Sequence, residues 1–172
     1  KSIGLFALIQ FPFTWKFIWA PLFDRFSFSM GRRRGWLIIF QILLLLSIAI
    51  AGFISPTSQI TIVALISIVI AFFSASQDVV IDAYRRELLL DHELGLGNAI
   101  HVNAYKIASL IPGSLSLILA DIFSWDLVFF ITALFMLPGI ILTLIIKEPK
   151  LKTLPPRTIK DAVIEPFKEF KN

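Results

Sequence analysis

The stretch Gln77-Asp78-Val79-Val80-Ile81-Asp82-Ala83-Tyr84-Arg85-Arg86-Glu87-Leu88 places two aspartates and two arginines at the end of an apolar run that begins at Ile60. On a helix, Asp78 and Asp82 share one face. Arg85 and Arg86 follow Asp82 by three and four residues, within reach of an ion pair along the same helix. A charge within bilayer hydrocarbon costs at least about 3 kcal/mol, so Asp78, the deeper carboxylate, must face a protein interior or a wet cavity. An acid so placed can take up and release a proton or line a substrate path, and Gln77 beside it shares that candidacy. For Asp82, Arg85 and Arg86 a helix-end ion-pair network is the better reading.

Two cations extend the set. Lys16 follows Pro12 and lies between Trp15 and Trp19, about two turns inside an apolar segment. It can snorkel its stem toward the interface or point into a pocket. Lys106 lies nearly three turns into another apolar segment, too deep to snorkel, and shares it with Asn98, His101, Asn103 and Tyr105. A helix this polar is expected to face a cavity or a buried partner rather than lipid. His101 and Tyr105, four residues apart, are suited to relaying a proton or holding a sugar, or else to a buried and satisfied histidine. Asp78 and Lys106 lie equally far on either side of His92, so a hairpin turning there brings them to the same depth. The expected contact is an Asp78–Lys106 ion pair, direct or through water.

These residues need membrane helices to position them. Of 172 residues 57% are hydrophobic, and the mean hydropathy is +0.84, which leaves too little polar surface for a water-soluble domain of this length. A spanning helix needs about 20 mostly apolar residues. Five segments approach that, over roughly 2–23, 36–54, 60–82, 97–120 and 127–146. The expected fold is all-α, a polytopic transmembrane helical bundle occupying residues 1–148, followed by a linker over 149–172. Within the linker, Thr158 to Phe170 sets Ile159, Val163, Phe167 and Phe170 on one face, an amphipathic stretch for a membrane surface.

The joints are unequal in charge. Arg25, Arg32, Arg33 and Arg34 occupy the first and Arg85 and Arg86 border the third, while the tail from Lys147 is rich in lysine. The second and fourth joints hold neither Lys nor Arg. Basic short loops stay in the cytoplasm, so the N-terminus is expected outside and the C-terminus inside. An odd number of spans entered from outside suggests a further span upstream, and the chain starts without Met.

The first joint reads Asp24-Arg25-Phe26-Ser27-Phe28-Ser29-Met30-Gly31-Arg32-Arg33-Arg34-Gly35-Trp36. Glycine permits a tight turn, and the aspartate can pair with the arginines or cap a neighbouring helix. This pattern resembles the loop between spans two and three of the major facilitator superfamily, with a longer spacer before the glycine. Three further runs, Phe13 to Arg25, Ser74 to Arg85 and Glu165 to Phe170, resemble the AmpG-type muropeptide permeases, and the similarity runs nearly end to end. The acetyl-coenzyme A transporter family is a more distant likeness. What the resemblance implies is spans two to six of a twelve-span transporter, lacking its C-terminal half. Its implied activity is import of a glycopeptide, the anhydromuropeptides of cell-wall recycling, across a bacterial inner membrane by proton symport. It also implies that Asp24, Arg25, Gly31, Arg32 and Arg33, with Asp82 and Arg85, form a cytoplasmic gating network. Another facilitator substrate, or a remnant that does not transport, are the competing readings.

Other function classes find little support. Without Cys there is no disulfide scaffold, thiolate metal site or Cys nucleophile. Gly95-Leu96-Gly97 lacks the third glycine and the preceding strand of a dinucleotide fingerprint, and neither His92 nor His101 stands in a metalloprotease motif. No GxSxG elbow occurs. No enzyme activity, cofactor or metal is expected. The basic tail next to a span reads as topology rather than a nucleic-acid surface. The expected partners are the lipid bilayer, the glycopeptide with protons, and the other transporter half.

Overall fold

The computed structural model describes residues 4, 7–55 and 58–149, and among them the fold is helical, with one isolated bridge between Phe28 and Gly31. The linker stretch Thr158 to Phe170 lies outside the described residues. A 3-10 turn over Leu8–Gln10 leads into α1 (Phe11–Trp15), and a turn at 16–19 separates it from α2 (Ala20–Arg25). Then come α3 (Arg32–Ala51) and α4 (Ile60–Leu88), a 3-10 turn at Asp91–Glu93, and α5 (Leu94–Ala108). A π-turn at Ile111–Leu115 joins α5 to α6 (Ser116–Ala120), and α7 (Trp125–Leu134) and α8 (Leu137–Ile145) complete the series.

Among the described residues, four helical segments are long and apolar enough to cross a membrane: Arg32–Ala51, Ile60–Leu88, Asp91–Ala120 and Trp125–Ile145. They overlap the second to fifth segments expected from sequence. The chain is thus a multi-pass membrane protein. The first expected segment differs, because its described part is two short helices and not one. Pro12 and Pro21 each start a short helix, where a missing N–H costs nothing. Pro21 also withholds the N–H that would carry the first helix on through the turn.

The third segment is longer than expected. It continues six residues past Asp82 to Leu88, so the whole acidic and basic stretch stays helical. Asp82 and Arg85 pair three residues apart at 2.9 Å, which supports that last turn instead of ending it. The fourth begins earlier, at Leu94. Pro112 coincides with its π-turn, where Ser116 Oγ donates to the Ile111 carbonyl at 3.1 Å and partly repairs the ladder.

The core lies between α3 and α4. Leu37, Phe40, Gln41, Leu44 and Ser47 recur at helical spacing on α3, and all are buried. They face an α4 stripe of small side chains, Ala64, Ala71, Ala75 and Ser76, which lets the two backbones approach. At one end Phe23 of α2 joins Leu37, Phe40 and Val80, with Trp19, Trp36 and Phe73 around them. The Phe23 ring lies 4.9 Å from Trp36 and 5.2 Å from Phe40, which fastens α2 to α3. At the other end α7 approaches α3 closely: a side chain at Gly52 would meet Phe129 Cβ at 2.7 Å. By contrast, α5 buries no residue.

Candidate functional site

Two charged centres emerge, one near the broken first segment and one at the basic loop. In the first, Lys16 lies in the turn between α1 and α2, and its Nζ sits 3.3 Å from Asp78 Oδ2 on α4. Pair and surroundings are part-exposed, with 33% of the Lys16 side chain and 47% of the Asp78 side chain accessible. One residue back from Gln77, the fully buried Ser76 accepts a hydrogen bond from Trp19 Nε1 at 3.1 Å. Gln77 Oε1 is buried with no hydrogen-bond partner among the described residues. The break therefore presents a cation and an indole to one turn of α4.

The expected direct Asp78–Lys106 ion pair is not formed. Lys16 takes Asp78, while Lys106 is exposed on α5 and makes no ion pair among the described residues. Rotational phase decides, and Asp78 points toward the first segment. On α5 the polar residues are left uncovered by the rest of the described bundle. Tyr105 is 72% exposed, His101 is part-exposed, and Asn103 donates to its own helix at Ala99 O, 2.8 Å away.

The second centre is built on the turn that starts α3. Gly31 adopts φ 114° and ψ 158°, a conformation open only to glycine, and its N–H donates to Phe28 O at 3.0 Å. The turn aims Arg32 and Arg33 back at α2 and α4. Arg33 Nη2 lies 2.6 Å from Asp24 Oδ1 and 2.6 Å from Glu87 Oε1, and Arg32 Nη2 lies 2.6 Å from the same Glu87 oxygen. Arg33 is only 5% exposed. Two guanidinium groups and two carboxylates from three helices thus form one cluster, which compensates the burial of Arg33. Arg25 stays outside it, exposed, with its guanidinium 5.9 Å from the Phe26 ring. Asp82 and Arg85 pair with each other, and Arg86 turns to Asp91 at 3.9 Å instead of Asp82.

Two participants escaped the sequence reading. Glu87, inside the quoted stretch, is the central acceptor of the cluster. Glu148 caps α3 from beyond the last span: its Oε1 accepts from Arg33 N at 2.7 Å and its Oε2 from Arg34 N at 3.1 Å. A carboxylate at a helix N-terminus satisfies orphan N–H groups and complements the helix dipole. Nearby, Tyr84 donates to Lys147 O at 2.8 Å and Arg34 to Leu144 O at 2.7 Å. The sequence signal for Glu148 was slight, an acid bordered by basic residues. Among the described residues, no group of His, Cys, Asp or Glu could hold a metal ion.

Comparison with known proteins fits this architecture. The chain is 55% identical over 153 residues to an uncharacterized protein of Haemophilus influenzae, covering 88% of this chain and 36% of that one. It is 43% identical over 173 residues to the anhydromuropeptide permease of Escherichia coli K12, covering 99% of this chain and 35% of the permease. It is 36% identical over 157 residues to transporter AmpG 3 of Rickettsia prowazekii, covering 88% and 37%. The chain spans about a third of the length of these relatives. The family model described as Major Facilitator Superfamily matches residues 2–172. With its apolar helices and a match that runs almost end to end, the chain belongs to the major facilitator superfamily.

Proposed function

We propose that this chain supplies spans of the N-terminal half of a transporter that imports anhydromuropeptides across the bacterial inner membrane by proton symport. The observation that carries this is the 43% identity, across 99% of the chain, to a protein named anhydromuropeptide permease. Five spans over residues 1–148, with the N-terminus outside, follow from the alternation of basic and uncharged joints. The remaining transporter half completes the substrate path, since the two halves of such carriers rock about a central site.

Asp78 is the proton-coupling residue in this reading. As a carboxylate it holds Lys16 at 3.3 Å. Protonation removes the negative charge and frees Lys16, which lies in the break between α1 and α2. Proton uptake would then loosen α1 from α4, giving the coupled proton a mechanical effect. The Asp24–Arg32–Arg33–Glu87 cluster is the cytoplasmic latch. It binds α2, α3 and α4 into one body, so that outward and inward forms differ by movement of whole units.

The experiment is uptake of labelled anhydromuropeptide by the full-length transporter in a permease-deficient bacterium. Wild type should accumulate the substrate, and Asp78→Asn should lose uphill accumulation while retaining exchange of substrate across the membrane. Absence of uptake by wild type would reject the substrate, and undiminished accumulation by Asp78→Asn would reject the coupling role. Impermeant thiol labelling of Ser29→Cys from outside intact cells would reject the orientation.

A further inference from the structure

Where α4 turns into α5, Asp82, Arg85 and Arg86 together with Leu94 and Asn98 line a cavity of about 280 Å3. Its polar groups are unevenly satisfied. Asp82 Oδ1 lies 2.9 Å from Arg85 Nη2, whereas Nη1 of the same guanidinium is buried without an acceptor among the described residues. Arg86 reaches only Asp91, at 3.9 Å, with the Arg86 side chain 69% exposed. The lining therefore carries two guanidinium groups against one carboxylate, plus the carboxamide of Asn98. Nη1 is enclosed, so an oxyanion in the cavity would be met by the remaining N–H groups of Arg85 and by those of Arg86. Guanidinium is the side chain best matched to phosphate oxygens, through paired N–H donors.

Depth places this cavity at the level of headgroups. The 29 residues of α4 extend about 43 Å at 1.5 Å per residue, against roughly 30 Å of hydrocarbon. Its last turns therefore protrude beyond the acyl chains. Basic pockets between helix ends at that level attract anionic groups. Leu94 adds an apolar wall beside the guanidinium groups.

We infer that the α4–α5 cavity is a phosphate-binding site, in which Arg85 and Arg86 donate to the phosphate oxygens, Asn98 adds a third donor and Asp82 holds Arg85 in place. The phosphate belongs either to an anionic phospholipid or to a free phosphate. This site stands apart from the transport reading, and its test needs no uptake assay.

The full-length transporter, purified in detergent, is exposed in turn to dioleoyl phosphatidylglycerol, dioleoyl phosphatidylcholine and inorganic phosphate, and retained adducts are measured by native mass spectrometry. Phosphatidylglycerol held in preference to phosphatidylcholine, and lost in Arg85→Gln, identifies the lipid source. Inorganic phosphate held with the same dependence on Arg85 identifies the free one. In either case Arg85→Gln should weaken retention about tenfold, the loss of one charge-assisted hydrogen bond of about 1.4 kcal/mol. Lys147→Gln removes an equal charge from the same side and should leave retention unchanged. Asn98→Ala, at an exposed position, should weaken it a few-fold and covers the case in which Arg85→Gln does not fold by circular dichroism. Retention that is absent in wild type, or equal in wild type, Arg85→Gln and Asn98→Ala, would overturn the site.

Discussion

Glu87→Gln tests how the basic loop is held. Glu87 Oε1 accepts from Arg33 Nη2 at 2.6 Å, Arg33 Nε at 3.1 Å and Arg32 Nη2 at 2.6 Å. Glutamine keeps an oxygen of the same reach but loses the charge. Charge-assisted hydrogen bonds are about twice as strong as neutral ones, a difference of roughly 1 kcal/mol each. Three contacts set a ceiling of about 3 kcal/mol, and Asp24, still 2.6 Å from Arg33, lowers the expected loss to about 2 kcal/mol. Asp24→Asn removes a contact to a carboxylate 37% exposed, where the loss should be about 1 kcal/mol or less. At 2–4 °C per kcal/mol for a chain of this size, Glu87→Gln should lower the melting temperature by roughly 4–8 °C. Thermal unfolding in detergent, followed by circular dichroism, provides the reading. Because both acids share Arg33, the double variant should depart from the sum of the single ones. An Asp24→Asn loss equal to or greater than that of Glu87→Gln would refute the assignment of Glu87 as the central acceptor.

Gly31→Ala should destabilise the chain by about 1–3 kcal/mol, since φ 114° strains any side chain and the new Cβ would meet Glu148 Oε2 at 2.5 Å; an unchanged melting temperature would contradict this. Glu148→Ala uncaps two N–H groups of α3 and should cost about 1–2 kcal/mol in the same assay, whereas Glu148→Gln, which still offers an acceptor, should cost less. A double-mutant cycle on Lys16→Met and Asp78→Asn should give a favourable coupling of about 0.5–1 kcal/mol for this part-exposed pair, while Lys106→Met with Asp78→Asn should give none.

The spans were legible because apolar length and basic joints are local properties of the chain. The turn at Gly31 was legible for the same reason, as a glycine before three arginines at the head of an apolar run. Partners were harder. Glu148 stands 115 residues from Arg33, and only the folded arrangement of α3 and α8 shows that its carboxylate caps a helix. Glu87 looked like one more charge at a helix end until the loop folded back on it. The Asp78 partner was misread because sequence gives depth along a helix but not its rotation. Lys16, the actual partner, was recognised as an intramembrane cation, and Pro21, which ends the helix before the turn at 16–19, was the mark of the break that turns it toward α4.

The isolation of α5 bears on how this chain enters a bilayer. Its segment, Asp91–Ala120, is the least apolar of the four and has none of its apolar window buried in the bundle. The cost of leaving Asn103 and Lys106 in hydrocarbon falls on that segment alone during synthesis. Its entry is therefore a cooperative step, completed when the more apolar Trp125–Ile145 follows and draws the hairpin across. Substitutions on α5 should therefore register in biogenesis, as altered yield of correctly inserted protein.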